Sequence, residues 1–153
     1  MTPNVMAWFQ KIVALYPPEG PCLEVGSMNV NGSVRDMFPE PYTGLDMRPG
    51  AGVDEVAEFL YWTQYGYRSI VSTETLEHTL EPWSIVEKMS ECLDDGGRVY
   101  LSVPWMFVMH DYPEDCWRIL PRAMNHILER AGLTPLLIEN DESHTFAVAE
   151  KAA

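Results

Sequence analysis

Apolar positions recur along the chain with two spacings, and each spacing predicts one kind of element. From 4 to 16 they lie three and four residues apart, which is typical of an amphipathic helix that starts after Thr2 and Pro3 and stops at Pro17. Helical patterning predicts three further helices, over 32–38, 81–93 and 120–133. Short apolar runs predict strands at 22–25, 42–46, 53–56, 68–73 and 98–103.

The order of these elements decides the fold class. Strands alternate with helices, which predicts an α/β fold with a Rossmann-like, mostly parallel sheet of about seven strands and helices on both faces. The last two strands, 135–139 and 144–150, are separated by the polar turn 140–143, so we expect an antiparallel C-terminal hairpin at the sheet edge. With no linker or repeat, the chain 1–153 is expected to form one domain.

Charge and cysteine content narrow the classes of partner. Ten basic and 23 acidic residues give a net charge of −13, which repels phosphate polymers and acidic membrane surfaces, so nucleic acid is a disfavoured partner. Cys22, Cys92 and Cys116 are odd in number and lack CxxC spacing, which favours reduced thiols and a cytoplasmic protein. No apolar run reaches the length of a membrane span and the N-terminus lacks a signal-peptide pattern, so no membrane association is expected.

The segment Gly26–Gly32 follows the first strand and is a candidate ligand-binding loop, because ligands of open α/β sheets bind beyond the carboxyl ends of the strands. Gly26 allows a sharp turn, and Asp46 at the end of the second strand has a carboxylate that can accept both hydroxyls of a ribose. The dinucleotide pattern GxGxxG fails, since Met28 and Asn31 occupy its second and third glycine positions and Met28 would obstruct a pyrophosphate. The loop therefore predicts a ribose-bearing cofactor without a pyrophosphate.

Four segments together resemble the class I S-adenosylmethionine-dependent methyltransferases, in particular the broad group that acts on small molecules. They are "LEVGSMNVNG" (23–32), "YTGLDM" (42–47), "IVSTETLEHT" (70–79) and "ECLDDGGRVYLSVP" (91–104), and with the hairpin they extend the resemblance over nearly the whole chain. The resemblance implies S-adenosylmethionine as the cofactor, with its methionine part on the first segment, its ribose on Asp46 and its adenine beside Met47. The cofactor-binding residues that it implies are Glu24, Gly26, Ser27, Met28, Gly32, Asp46, Met47, Glu58 and Thr73.

Two departures from the family pattern concern opposite ends of this site. Where the family has an acid that contacts the adenine amine and then a Leu-Pro-Phe-like segment, this chain has "VAEFLYW" (56–62), in which Glu58 is the nearest acid. The aromatic residues of 58–67 are expected to form the adenine-side wall or a dimer contact. The chain also lacks the insertions that commonly cover the acceptor, so either the acceptor is large or a second subunit of a homodimer covers the site.

Two histidines that follow central strands are the candidate catalytic bases. Methyl transfer from a sulfonium needs in-line placement of the acceptor and, where the acceptor carries a proton, a base. His78 follows the fourth strand, and His110 with Asp111 follows the fifth, although a structural role explains either histidine equally well. His126 lies within a helix and His144 starts the hairpin, so we interpret both as structural.

The segment 105–118 concentrates aromatic residues and methionine after the fifth strand. It is expected to be partly core and partly an apolar wall against the acceptor, with 110–112 facing the cleft and with Tyr112, Trp117 and Arg118 as anchors.

Glu74, Glu77 and His78 are spaced so that a helical turn would gather them on one face, and His110 would complete a set able to hold a divalent ion. This ExxEH followed by a later histidine is similar to the metal motif of small-RNA 2′-O-methyltransferases, which use a magnesium-like ion. Metal-free relatives also carry "LEH", and the net charge disfavours RNA, so a metal is not expected.

The sequence thus predicts a methyltransferase that acts on a small molecule with an oxygen or nitrogen acceptor. A nicotinamide-dependent oxidoreductase is the first alternative, which Met28 and the closing hairpin disfavour. The second is a non-catalytic protein that keeps the fold for binding or oligomerisation, and the last is a metal-dependent RNA 2′-O-methyltransferase.

Overall fold

The computed structural model describes residues 1–111 and 114–153, and these form a seven-stranded sheet flanked by helices. The strands are β1 (Cys22–Val25), β2 (Tyr42–Asp46), β3 (Glu55–Val56), β4 (Tyr67–Thr73), β5 (Leu93–Pro104), β6 (Leu133–Asn140) and β7 (His144–Lys151). The α-helices are α1 (Pro3–Leu15), α2 (Pro82–Cys92) and α3 (Pro121–Arg130). Short 3₁₀ turns occupy Arg35–Met37, Phe59–Tyr61 and Leu76–His78.

The strand order is β3-β2-β1-β4-β5-β7-β6, which confirms the predicted fold class. Strands β1 to β5 are mutually parallel where they pair, whereas β7 pairs antiparallel with both β5 and β6. The chain order reverses between β1 and β4, so the carboxyl ends of these strands face one crevice, which is where ligands of open α/β sheets bind.

Helices cover both faces of the sheet, as the alternation of strands and helices predicts. On one face, α1 buries Phe9 and Ile12 against the sheet. On the other face, α2 and α3 bury Met89 and Leu128. Because successive side chains of a strand point to opposite faces, Glu24 of β1 lies on the α1 side.

Two local predictions need correction. The short helix expected over 32–38 is a single 3₁₀ turn, because Pro39 disfavours a helical conformation in the residue before it and leaves too few residues for an α-helix. The strand expected over 98–103 is longer, because residues 93–97 also belong to β5, which begins directly after α2 and pairs with β4 through an irregular register. The predicted antiparallel C-terminal hairpin is confirmed, with β6 as the edge strand and β7 inside the sheet.

The aromatic residues of 58–67 divide between the core and the surface. Phe59, Trp62 and Tyr67 are buried in the cluster beneath α2, so the expectation that the stretch forms an adenine-side wall or a dimer contact is wrong for these three. Tyr61 and Tyr65 remain exposed. Across the described residues, no helix combines the length and apolarity needed to span a bilayer.

Candidate functional site

The turn after β1 depends on Gly26. Its φ of +80° lies in the left-handed region, which disfavours residues with a Cβ. A Cβ there would also lie 2.1 Å from Thr75 Oγ1, so the β1 loop and the segment after β4 are in direct contact. Gly26 therefore closes the gap between the two loops that border the crevice.

The first amides of the β1 loop are used inside the protein. Gly26 and Ser27 both donate to the Leu45 carbonyl, at 2.9 and 3.0 Å, and Asn29 donates to the Ala51 carbonyl at 2.8 Å. The Met28 amide donates to Asp46 Oδ2 at 3.3 Å. These amides are therefore not arranged as an open cradle for a phosphate.

The side chains of Ser27 and Met28 pack against the connection after β2. Ser27 is 3% exposed and lies against Gly44, and its Oγ is buried without a hydrogen-bond partner among the described residues. Met28 contacts Gly50, where an added Cβ would lie 3.1 Å from its side chain. Both predicted cofactor residues thus fasten the loop to β2 and its connection.

Asp46 ends β2 directly beside the β1 loop. Its carboxylate accepts the Met28 amide and, at 3.1 Å, the Arg48 amide. A carboxylate has about four lone-pair positions, so these two bonds leave capacity for ribose hydroxyls. Met47 follows with its side chain 63% exposed, and Glu58 is exposed after β3, at the next strand end along the sheet.

Glu24 is predicted to bind the cofactor but is almost fully enclosed, with 3% exposure. The Tyr42 hydroxyl donates to Glu24 Oε2 at 2.7 Å. Burial raises the pKa of Glu24 to about 7, although the Tyr42 hydrogen bond acts in the opposite direction. Its described contacts make Glu24 a buried link between β1 and β2.

The far end of the β1 loop is exposed and open. Gly32 has a φ of +134°, and the atom nearest to an added Cβ is 3.7 Å away, in Met1. Asn29 Oδ1 accepts the Gly32 amide at 2.9 Å. The N-terminal ammonium donates to Asn31 Oδ1, so the start of the chain lies over this end of the loop.

Glu74 follows Thr73 at the end of β4 and turns away from the groups with which it was predicted to bind metal. It has a φ of 51°, so the chain does not continue as a helix from Glu74 to Glu77. Ser102 Oγ donates to Glu74 Oε1 at 3.0 Å, and His144 Nε2 lies 2.7 Å from Oε2.

His144, which is interpreted from the sequence as structural, is the buried partner of Glu74. It is fully buried at the start of β7, and its Nε2 contacts the Glu74 carboxylate, which lies just after β4. This contact orients the Glu74 side chain. His144 lies opposite Pro104 in the β5–β7 pairing, and this position can be known only once the fold is known.

Glu77, His78 and His110 are the predicted metal residues that the structure brings together. Each offers a ligand atom, and these three atoms lie within 4.8 Å of one another. Glu77 is fully buried and neither of its carboxylate oxygens has a hydrogen-bond partner among the described residues. Burial, with the nearby Glu74 charge, raises the pKa of Glu77 well above its usual range. The two imidazole rings are 5.1 Å apart.

An ion pair supports the loop that holds His110. Arg118 forms two hydrogen bonds to Asp115, at 2.6 and 2.7 Å, and the Asp115 side chain is 1% exposed. Those hydrogen bonds hold the pKa of Asp115 well below its usual range. Asp115 Oδ2 in turn accepts the His110 amide at 2.7 Å. In the structure, Arg118 thus holds the loop of His110 through Asp115, whereas the sequence predicts that Arg118 contacts the acceptor.

The segment 105–118, part of which is predicted to form an apolar wall against the acceptor, has an exposed apolar surface before His110. The members of this surface are Met106, Phe107, Val108 and Met109, each at least 43% exposed. Trp117 packs edge-on against Trp83 and donates to the Leu80 carbonyl. Asp111 is exposed beside this surface, and Tyr112 lies outside the described residues.

Comparison with known proteins identifies the fold. No protein-family model matches the chain, and no curated protein matches it by sequence. Among solved structures, the 1,6-didemethyltoxoflavin-N1-methyltransferase of Burkholderia thailandensis, with S-adenosylhomocysteine bound, has a TM-score of 0.77 at 12% identity, over 95% of this chain and 76% of that one.

Two further structures show the range of proteins with this fold. The N-methyltransferase NodS of Bradyrhizobium japonicum, also with S-adenosylhomocysteine, has a TM-score of 0.72 at 13% identity, over 98% of this chain and 87% of that one. The [4+2]-cyclase SpnF has a TM-score of 0.73 at 11% identity, over 96% and 81%. The chain therefore has the fold of the class I S-adenosylmethionine-dependent methyltransferases.

Proposed function

We propose that the protein is an S-adenosylmethionine-dependent methyltransferase with a small-molecule oxygen or nitrogen acceptor. The observation that carries the proposal is the position of Asp46, whose carboxylate ends β2 beside the Gly26 turn and is hydrogen-bonded to the loop at Met28. A carboxylate in this position, against the loop that would take the amino-acid end of the cofactor, supports the assignment of Asp46 to the ribose hydroxyls.

The same loop argues against a nicotinamide dinucleotide. A pyrophosphate binds at free backbone amides at the start of a helix. Within the described residues 26–38, the amides of 26–29 are bonded internally and no α-helix follows the loop. A sulfonium nucleoside with an amino-acid tail has no pyrophosphate and so does not need such amides. The adenine of this cofactor would lie beside Met47, whose side chain is exposed.

The acceptor side lies at the ends of β4 and β5. When bound, S-adenosylmethionine supplies an electrophilic methyl group. The chain's part is to hold the acceptor in line and to accept its proton, for which His78, His110 and Asp111 are the candidates. The apolar surface 106–109 would contact the body of the acceptor.

The setting of the reaction is part of the proposal. The net charge of −13 supports a small molecule over nucleic acid as the acceptor. Three free cysteines support a cytoplasmic location. A homodimer would cover the exposed acceptor side.

Isothermal calorimetry with S-adenosylmethionine, S-adenosylhomocysteine and NAD tests the proposal. We expect binding of both sulfur ligands and none of NAD. Asp46→Asn should weaken binding by about 10- to 100-fold, because a hydrogen bond to a charged group contributes about 1.5 to 3 kcal/mol. Asp36→Asn, at an exposed carboxylate of the 3₁₀ turn, is the matched control and should leave affinity unchanged.

Folded protein that gives no heat with either sulfur ligand would refute the cofactor assignment. Transfer of a labelled methyl group across a panel of small hydroxyl and amine acceptors then tests the reaction. Cofactor binding without transfer to any member would instead favour the non-catalytic alternative.

A further inference from the structure

We propose that Glu77, His78 and His110 form a binding site for a divalent transition metal of the zinc type. The three residues are brought together by the 3₁₀ turn after β4 and the loop after β5. One carboxylate and two imidazoles are a common ligand set for such ions, which leaves further coordination positions for water or substrate.

The state of Glu77 is the first observation that points to a cation. Its side chain is fully buried, and both carboxylate oxygens lack a hydrogen-bond partner in the described part of the chain. A buried polar group without a partner is costly, and a buried carboxylate is normally paired or bound to a metal. His78 Nε2 lies 3.6 Å from Glu77 Oε1, which leaves the carboxylate directed towards an imidazole nitrogen.

The hydrogen bonds of the two histidines are the second observation. His78 Nδ1 lies in hydrogen-bond contact with the Glu114 carbonyl. His110 Nδ1 lies 3.2 Å from the Val108 carbonyl and 3.4 Å from Asp115 Oδ2. A carbonyl accepts only from an N–H, so each Nδ1 carries a proton, and in the neutral ring the lone pair is then on Nε2. Metal-bound histidines show this arrangement, in which an outer partner fixes the tautomer.

The remaining geometry is compatible with closure on an ion. In a tetrahedral site, bonds of about 2.1 Å place the ligand atoms about 3.4 Å apart. The three ligand atoms lie within 4.8 Å of one another, so a pair at that limit needs to approach by about 1.4 Å. The His110 side chain is 35% exposed and lies on a loop, which gives it room to move and gives the ion access from solvent.

The chemistry of the ligands also selects the ion. Magnesium and calcium prefer oxygen ligands and, for magnesium, retained water, whereas imidazole nitrogen suits zinc, cobalt, nickel and iron. Glu74, the second carboxylate of the predicted set, is instead bonded to Ser102 and His144. The site therefore favours a zinc-type ion over the magnesium-like ion that the sequence motif suggested.

The site lies next to the predicted methyl-transfer centre, because Thr75, which contacts Gly26, immediately precedes the Leu76–His78 turn. An ion there has coordination positions available to an acceptor oxygen. This role in acceptor binding rests on the proposed function, but metal binding itself does not.

Cobalt titration of tag-free protein tests the site, with visible absorption and equilibrium dialysis as readouts. We expect one cobalt ion per chain, the absorption bands of a nitrogen-ligated ion, and displacement by zinc. Glu77→Gln, His78→Ala and His110→Ala should each lower affinity by more than the roughly 10- to 100-fold that loss of an outer partner costs. His126→Ala removes an exposed histidine from α3 and should change nothing.

Thermal unfolding and S-adenosylhomocysteine calorimetry on the same samples confirm that each variant is folded. Absence of cobalt uptake by folded wild-type protein would overturn the metal site. So would uptake that His78→Ala and His110→Ala leave unchanged, or that His126→Ala abolishes. Any of these three results, obtained while S-adenosylhomocysteine still binds, would leave the proposed function standing.

Discussion

Replacement of Gly26 by alanine should destabilise the protein for two separable reasons. The left-handed backbone, with a φ of +80°, costs a residue with a Cβ about 1 to 2 kcal/mol. The new Cβ would also lie 2.1 Å from Thr75 Oγ1 and 2.6 Å from Thr75 Cγ2, so either the loop or Thr75 must move. Overpacking of this kind adds about 1 to 3 kcal/mol, for a total of about 2 to 5 kcal/mol.

Gly132→Ala is the matched control for the backbone contribution. Gly132 follows α3 with a φ of +73°, and an added Cβ would have no atom within 4 Å. Its replacement should therefore cost only the about 1 to 2 kcal/mol of the left-handed conformation. The difference between the two variants isolates the contact of the β1 loop with the segment after β4.

Urea unfolding of both variants measures these costs, and a double-mutant cycle assigns them. Thr75→Ala removes the two closest atoms, so Gly26→Ala should cost less in the Thr75→Ala background than in the wild type. If Gly26→Ala costs no more than Gly132→Ala, or if Gly26 and Thr75 show no coupling, the close contact described here is wrong.

Three further predictions concern buried polar groups. Folding raises the pKa of Glu24 from 4.5 to about 7, so between these pH values the carboxyl is protonated in the folded state and ionised in the unfolded state. The contribution of Glu24 to the free energy of unfolding therefore falls as the pH rises from 4.5 to 7. Glu24→Gln should gain up to about 3 kcal/mol relative to wild type from pH 4.5 to 7 in urea unfolding, and a constant difference would contradict the shift. Arg118→Ala should cost about 2 kcal/mol by leaving the buried Asp115 carboxylate without its partner, and an unchanged unfolding midpoint would count against that pair. Ser27→Ala should raise the unfolding midpoint by removing a buried hydroxyl without a partner and leave S-adenosylhomocysteine affinity intact, whereas a loss of affinity would show that the hydroxyl reaches the cofactor.

The neighbouring positions of Gly26 and Asp46 could be predicted because their determinants are local in sequence. A glycine directly after a buried strand and an acid at the end of the next strand lie at neighbouring strand ends when those two strands pair in parallel, as β1 and β2 do for Gly26 and Asp46. The mostly parallel sheet with its antiparallel C-terminal hairpin also followed from the sequence, through the alternation of strands and helices and the polar turn 140–143.

The acceptor side was harder to predict because its geometry depends on one backbone conformation and on distant contacts. Helical spacing suggested that Glu74, Glu77 and His78 share a face, but Glu74 has a left-handed φ of 51° and turns towards His144, seventy residues away. The same spacing could not reveal that Glu77 would be fully buried. Burial is a property of the packed chain, and the burial of this carboxylate without a hydrogen-bond partner among the described residues is what points to a bound cation.

The most direct test of the central claim is a crystal structure of the protein with S-adenosylhomocysteine. We predict that the ribose hydroxyls bind the Asp46 carboxylate, that the amino-acid tail lies along Gly26–Gly32, and that the sulfur faces the segment after β4. A ligand bound elsewhere, or a ribose without contact to Asp46, would contradict the proposed cofactor site.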